Sequence, residues 1–236
     1  MDIQIEDWGA DVHIKQAVKK QDEYWAEKVF GTPAFAKASS GKPDKIIFVE
    51  HEPVYTAGAS CATRLGLIKQ CFKKEIWELP APVEIIRRGG LVTYQGPGIL
   101  SVYFIFYFKN FSPRGFNDFL LDSADALLKT YGVSATSGHF KENPGLYVGE
   151  RKKIVSLGTQ ISKGVSRYGL AISLNPDEKY LEPLIPCGLE NMRMASLAEE
   201  LNVKSFSDSE KDEIKIKLAT ELISRYHESR SGGVPL

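Results

Sequence analysis

An excess of charge of one sign is missing from this sequence: thirty lysines and arginines stand against thirty aspartates and glutamates. With no block of like charge either, electrostatics points neither to nucleic acid nor to a membrane surface as a partner. Long apolar runs are missing too. No segment has the ~18 continuous apolar residues of a membrane-spanning helix. The start, Met1-Asp2-Ile3-Gln4-Ile5-Glu6-Asp7, has neither the basic cluster nor the apolar stretch of a secretion signal. Cysteine is scarce: Cys61, Cys71 and Cys187 are an odd number without a Cys-x-x-Cys pair, which fits a reducing compartment better than a disulfide framework. A cytoplasmic protein is the expectation. There is no internal repeat, no low-complexity segment, and no Gly-x-Gly-x-x-Gly or Gly-Lys-Ser/Thr phosphate loop.

What is present suits a globular protein. Its 236 residues, 43% hydrophobic and 25% charged, can bury one sizeable core, so a single domain over 1-236 is expected. Apolar positions at Val12, Ala17, Tyr24, Trp25 and Phe30 predict an amphipathic helix closed by Gly31, and Lys45 to Val49 a short buried strand. Val83 to Ile86 and the very hydrophobic Ile99 to Phe108 read as further strands, and Gly115 to Tyr131 as a helix stopped by Gly132. From Pro144 the pattern is an antiparallel meander: Leu146 to Val148, Ile154 to Ile161 and Val165 to Leu174, separated by the turn signals Gly149-Glu150-Arg151-Lys152 and Ser162-Lys163-Gly164. Two helices close the chain, Ala195 to Leu201 and Ser207 to His227, the last one largely solvated. The fold class is therefore α+β, with mixed, largely antiparallel sheets flanked by helices.

Three features invite chemistry. Arg87-Arg88-Gly89-Gly90-Leu91-Val92-Thr93-Tyr94-Gln95-Gly96-Pro97-Gly98 puts four glycines between two strands. Such a loop lets backbone approach a ligand closely, although a long hairpin turn has the same composition. His51, beside Glu50 and Glu52 and ahead of Pro53, belongs at a strand end, as a hydrogen-bonded structural residue or as part of a site. Cys187 sits between Pro186 and Gly188, a seat for a nucleophile or simply a buried thiol. Cys61 and Cys71, ten residues apart with no histidine pair, read as buried thiols rather than metal ligands.

Five blocks taken together resemble one family. They are Glu50-His51-Glu52-Pro53-Val54-Tyr55-Thr56-Ala57-Gly58, the run Arg88 to Gly98, Pro144-Gly145-Leu146-Tyr147-Val148, Lys153-Ile154-Val155-Ser156-Leu157-Gly158, and Ile185-Pro186-Cys187-Gly188. In order and spacing they are similar to the lipoyl(octanoyl) transferases, of the biotin and lipoate protein ligase superfamily, over about residues 45-200, with a C-terminal helix and tail over 203-236. The resemblance implies an acyltransferase that moves an octanoyl group from octanoyl-acyl carrier protein to Cys187, then to the lysine ε-amine of a lipoyl domain. Acceptors would be the lipoyl domains of 2-oxoacid dehydrogenase E2 subunits and the glycine cleavage H protein. It implies Lys153 as the partner of Cys187, no cofactor and no metal, and a monomer is the expectation. The implied substrate-binding residues are Arg88, Gly89, Gly90, Leu91, Thr93, Tyr94, Gln95, Gly96, Ser156, Leu157, Gly158, Tyr168, Gly169 and Ala171. Tyr94 and Leu91 are the candidate lining of the acyl slot.

The sequence departs from that family pattern at three places. Gln95 stands where the family has histidine, Gln160 where it has arginine, and Tyr168-Gly169 where it has His-Gly. Glutamine donates and accepts hydrogen bonds but carries no charge, so the burden of proton chemistry falls on Lys153 and Cys187. An ATP-dependent ligase, a cysteine thioesterase and a catalytically silent scaffold for carrier domains are the alternatives on the same scaffold.

Overall fold

The computed structural model describes residues 3-31, 42-107, 112-138, 144-186 and 192-231. Its centre is an eight-stranded sheet in the order β1-β2-β6-β10-β9-β8-β7, with β11 paired to β9 off the end of that path. The strands are β1 (Ile3–Asp7), β2 (Asp44–Val49), β6 (Ile99–Ile105), β7 (Thr136–Ser137), β8 (Gly145–Val148), β9 (Lys152–Ser162), β10 (Val165–Ser173) and β11 (Arg193–Met194). A second, three-stranded sheet runs β4-β3-β5, with β3 at Val54–Ala57, β4 at Val83–Ile85 and β5 at Val92–Gln95. Pairing is antiparallel except for β1 with β2, β3 with β4 and β9 with β11.

The alternation of side chains along the central strands decides what each face carries. Ile46, Phe48, Leu100, Val102, Phe104 and Ile172 point to one face, where they pack with helices α3 (Pro113–Thr130) and α6 (Asp208–Ser231). Ile47, Val49, Tyr103 and Ile105 point to the other, where Ala17 of helix α1 (Ile14–Phe30) covers them. Further along that second face Ile99 and Ala171 pack with Tyr55, Val92 and Tyr94 of the small sheet, alongside the buried side chains of Cys61 and Cys71. The small sheet and α1 thus share one side of the large sheet.

Local signals explain the helix ends. In α3, Ser112 accepts the Gly115 N–H at 2.9 Å and Pro113 fills the first turn, where its missing N–H costs nothing. Helix α1 is capped by His13 and closed where Gly31 bonds back to the Glu27 carbonyl. The Ser207 and Glu210 side chains cap α6 reciprocally. Short helices α2 (Gly66–Lys69), α4 (Glu178–Leu181) and α5 (Leu197–Leu201) complete the set among the described residues.

Several expectations need correction. Strand β1 was not anticipated from Ile3-Gln4-Ile5-Glu6-Asp7, nor α4 after the meander. The glycine-rich run is no single loop: Val92–Gln95 forms β5 and pairs with β3. Helix α6 is largely solvated as expected, but it also carries a buried stripe: Ile214, Leu218 and Leu222 are fully buried and Tyr226 is 3% exposed. The antiparallel meander stands, from β8 through β9 to β10.

Candidate active site

Between the second face of the large sheet and the small sheet lies a narrow slot with a free volume of about 40 Å³. Its floor comes from β9 and β10, through Ser156, Gly158, Tyr168 and Ala171. The opposite wall is Thr56 of β3, Thr93 and Gln95 of β5, and Arg88, Gly90 and Leu91 of the glycine-rich run. One end carries Lys153, Pro144, Met194, Leu184 and Pro186; Ile14, Ile86 and Tyr103 lie toward α1. The lining is mainly apolar, with a few polar groups that could orient a ligand.

Lys153 reaches this slot because β9 is irregular. Tyr147 pairs with Lys153, but the preceding Leu146 pairs with Val155, so one extra β9 residue is accommodated as a β-bulge. Consecutive Ile154 and Val155 both enter the core under α3, and Lys153 is turned the other way, only 4% exposed. Its carbonyl accepts the Ala195 N–H at 2.8 Å, and its ammonium stands 5.4 Å from the centre of the Tyr147 ring. Gly145 leaves the room for this side chain: a Cβ there would come within 2.5 Å of Lys153 Cε and 3.2 Å of Nζ.

Arg88 fixes the glycine-rich run. It is 8% exposed; its Nε and Nη2 donate to Thr56 Oγ1 at 3.2 and 3.0 Å, Nη2 also to the Thr56 carbonyl, and Nη1 to the Gly89 carbonyl at 2.8 Å. The Gly89 N–H bonds to the Thr159 carbonyl of β9 at 3.2 Å, so the run bridges from the small sheet to the large one across the slot. Gly58 permits the crossing, since a Cβ on it would lie 1.9 Å from the Gly90 oxygen.

His51 is a structural residue. Burial pulls its pKa down to about 4, so the ring is neutral at physiological pH. Its Nδ1 lies 2.8 Å from the Val12 carbonyl, which can only accept, so the proton is on Nδ1 and Nε2 takes the Tyr103 hydroxyl at 2.5 Å. Tyr103 is thereby held at the slot wall. Gln95, 7% exposed, accepts from the Ser101 hydroxyl.

Of the residues singled out in the sequence, Arg88, Gly90, Leu91, Thr93, Gln95, Lys153, Ser156, Leu157, Gly158, Tyr168, Gly169 and Ala171 come together around the slot. Gly89, Tyr94 and Gly96 do not line it. Tyr94 alternates to the other face of β5 and stacks on Tyr180 at 4.8 Å between ring centres, so its ring belongs to the small sheet's own core. Gln160 is half-buried on β9 outside the lining. Cys187 and Gly188 lie outside the described residues; Pro186, which precedes them, lines the slot. Ile14, Tyr103 and Met194 also line it, though no local motif marks them, because only tertiary packing brings them there.

Two sheets holding a buried lysine over an apolar slot define a fold seen before. The chain resembles the bi-partite lipoate protein ligase described with its E2 lipoyl domain from Thermoplasma acidophilum, with a TM-score of 0.65 over 96% of this chain and 84% of that one. At 14% identity this likeness shows the fold alone. Residues 32–222 match the family described as the lipoyl protein ligase A/B catalytic domain, and the chain belongs to that family. It is 35% identical over 181 residues to an octanoyltransferase of Neisseria gonorrhoeae, covering 76% of this chain and 82% of that protein. It is 33% identical over 160 residues to the mitochondrial octanoyltransferase LIP2 of Arabidopsis thaliana, covering 67% of this chain and 66% of the plant protein, just under two thirds of its length.

Proposed function

We propose that this chain is an octanoyltransferase of protein lipoylation, an acyltransferase that works through a thioester on Cys187. The observation that carries the reading is Lys153, a lysine 4% exposed that a β-bulge aims into an apolar slot shared with Pro186, the residue before Cys187. A buried cation stays charged when it is paired and hydrogen-bonded, and an ammonium beside a thiol favours the thiolate. The octanoyltransferase relatives support the acyl group, and the family supports a lipoyl domain as acceptor.

In this scheme the Cys187 thiolate attacks the carbonyl carbon of octanoyl-acyl carrier protein. A new C–S bond forms, the carbonyl–sulfur bond to the carrier breaks, and the leaving carrier thiolate takes its proton from the Lys153 ammonium, leaving that amine neutral for the next step. The ε-amine of the acceptor lysine then attacks the enzyme thioester; the amide bond forms, the Cys187 sulfur departs, and Lys153 relays the proton shed by the amine. One thioester is exchanged for another in the first step, so no ATP is required. Each buried methylene contributes ~0.8 kcal/mol toward holding the chain in the slot. Arg88, Gly89, Gly90, Leu91, Thr93, Gln95, Ser156, Leu157, Gly158, Tyr168, Gly169 and Ala171 are read as substrate-binding, with Tyr94 and Gly96 supporting from behind. The chain is taken as one acyltransferase domain acting as a monomer in the cytoplasm, with E2 lipoyl domains and the glycine cleavage H protein as acceptors.

The test is intact-protein mass after mixing with octanoyl-acyl carrier protein without ATP. An octanoyl increment is expected on the wild type and not on Cys187→Ser. Lys153→Ala is expected to acylate roughly 10²- to 10⁴-fold more slowly. Acylation of Lys153→Ala at the wild-type rate would remove Lys153 from the mechanism, and an increment that appears only with ATP would move the reading to a ligase.

A further inference from the structure

Tyr168 stands in the left-handed region, at φ +60°, in the middle of a strand whose nine residues are all buried. For a bulky aromatic residue this is a disfavoured backbone, kept only where the surroundings impose it. Its effect is to break the side-chain alternation of β10. Arg167 and Tyr168 both turn toward α1: the Arg167 guanidinium lies 4.7 Å from the Trp25 ring centre and pairs with Asp22, and Tyr168 packs with Ala17 and Tyr103. Gly169 and Leu170 both turn the opposite way, a Cβ on Gly169 falling 2.4 Å from the Phe104 ring and Leu170 sitting in the core under α3.

The surroundings that impose it are visible. The Tyr168 N–H donates to Gln21 Oε1 at 2.8 Å, and Gln21 is fully buried on α1. The Tyr103 ring meets the Tyr168 ring edge-on at 6.3 Å between centres, and His51 in turn holds Tyr103 by its hydroxyl. Tyr168 is therefore a ring set firmly into the slot, at the end nearest Ile14 of α1.

The strand register supplies a length. Lys153 runs up beside Gly145, which pairs with Ser156, so the ammonium sits at the Ser156 level of β9. Tyr168 pairs with Thr159. Those levels are three residues apart, roughly 10 Å along a strand. An eight-carbon acyl chain with staggered, extended torsions spans roughly 9 Å.

We propose that Tyr168 sets the acyl length this slot accepts, its ring closing the inner end about one octanoyl chain from Lys153, with Gln21 as the positioning residue that aims it. The proposal rests on the acyl-transfer reading above. Longer acyl groups are turned away by the ring, and shorter ones leave apolar surface unfilled.

The experiment compares acyl-enzyme formation from octanoyl- and dodecanoyl-acyl carrier protein by intact mass over time, for the full chain. Tyr168→Gly is the informative variant, because glycine accepts the left-handed backbone and removes the ring. The dodecanoyl-to-octanoyl rate ratio is expected to rise at least tenfold in Tyr168→Gly and to stay at the wild-type value in Tyr168→Phe. Gln21→Ala, which keeps the ring but frees the peptide that aims it, is expected to raise the ratio several-fold and decides the matter if Tyr168→Gly does not fold. An octanoyl adduct with an unchanged ratio in the folded variants would overturn the ruler alone. No adduct on the wild type from either donor would overturn the acyl-transfer reading and the ruler with it.

Discussion

A methyl group at position 145 would lie 2.2 Å from the Val155 oxygen and 2.5 Å from Lys153 Cε, closer than any tolerated contact. Gly145→Ala must therefore shift either strand β8 or the lysine. Overpacking of this kind costs about 1–3 kcal/mol. The expected outcome is that loss in urea denaturation together with at least a tenfold fall in the rate of octanoyl-enzyme formation. Lost stability with an unchanged rate would mean that the placement of the ammonium does not matter. At this scale the sequence was informative about Lys153, which stands out once its block is seen with the others and which lines the slot in the structure. It was uninformative about Tyr94, because β5 inside a glycine-rich run gives no clue to which face each side chain takes. His51 illustrates a third case, in which two bland partners, Val12 and Tyr103, make a suggestive residue structural.

Helix α6 shows how a largely solvated element can still carry part of the core. Its buried positions Ile214, Leu218, Ala219, Leu222 and Tyr226 form a narrow stripe among many charged side chains. Averaged along the helix, that stripe disappears into a polar composition. Its partner is α3, with Phe116, Phe119, Leu120 and Leu127 in the same core, and the need for α6 follows from the apolar face of α3 rather than from α6 itself. Leu218→Ala is expected to cost about 2–5 kcal/mol, read as a lower urea midpoint with unchanged slope. A cost below 1 kcal/mol would make α6 an appendage. Strand β1 escaped notice for a similar reason. Its five residues alternate apolar and polar at the edge of the sheet, half exposed, and only the pairing with β2 makes them a strand. The β8 to β10 meander was legible because both of its turns carry glycine and two of its three strands, β9 and β10, are long.

For the molecule as a whole, the two sheets were not separable in the sequence, since β3, β4 and β5 are only three or four residues each and differ from central strands only in what they face. The slot lies where the small sheet and α1 share one side of the large sheet, and the Gly89 N–H ties the glycine-rich run to the large sheet at the Thr159 level. His51 links that assembly to pH. Its folded pKa, about 4, lies below the ordinary histidine value of 6.5. The unfolded chain therefore binds a proton below pH 6.5 that the folded chain refuses, and stability falls as the pH drops from about 6.5 to about 4. The loss is about 3 kcal/mol in all. Urea midpoints of the wild type are expected to fall across that window, and those of His51→Gln to fall less; parallel curves would show that His51 is not the group responsible.

The bulge at Ile154 also constrains how this sequence can change over time. Removal of one residue between Lys153 and Ser156 would leave the lysine on the slot side, opposite its neighbour in the α3 core, whereas straightening the bulge at unchanged length would turn Ile154 to the slot side and swing the lysine onto the side packed by α3. The slot would lose its cation while every residue of the motif remained in order. A change of pairing that straightens the bulge, rather than a gap of one residue, is therefore what would take the cation out of the slot.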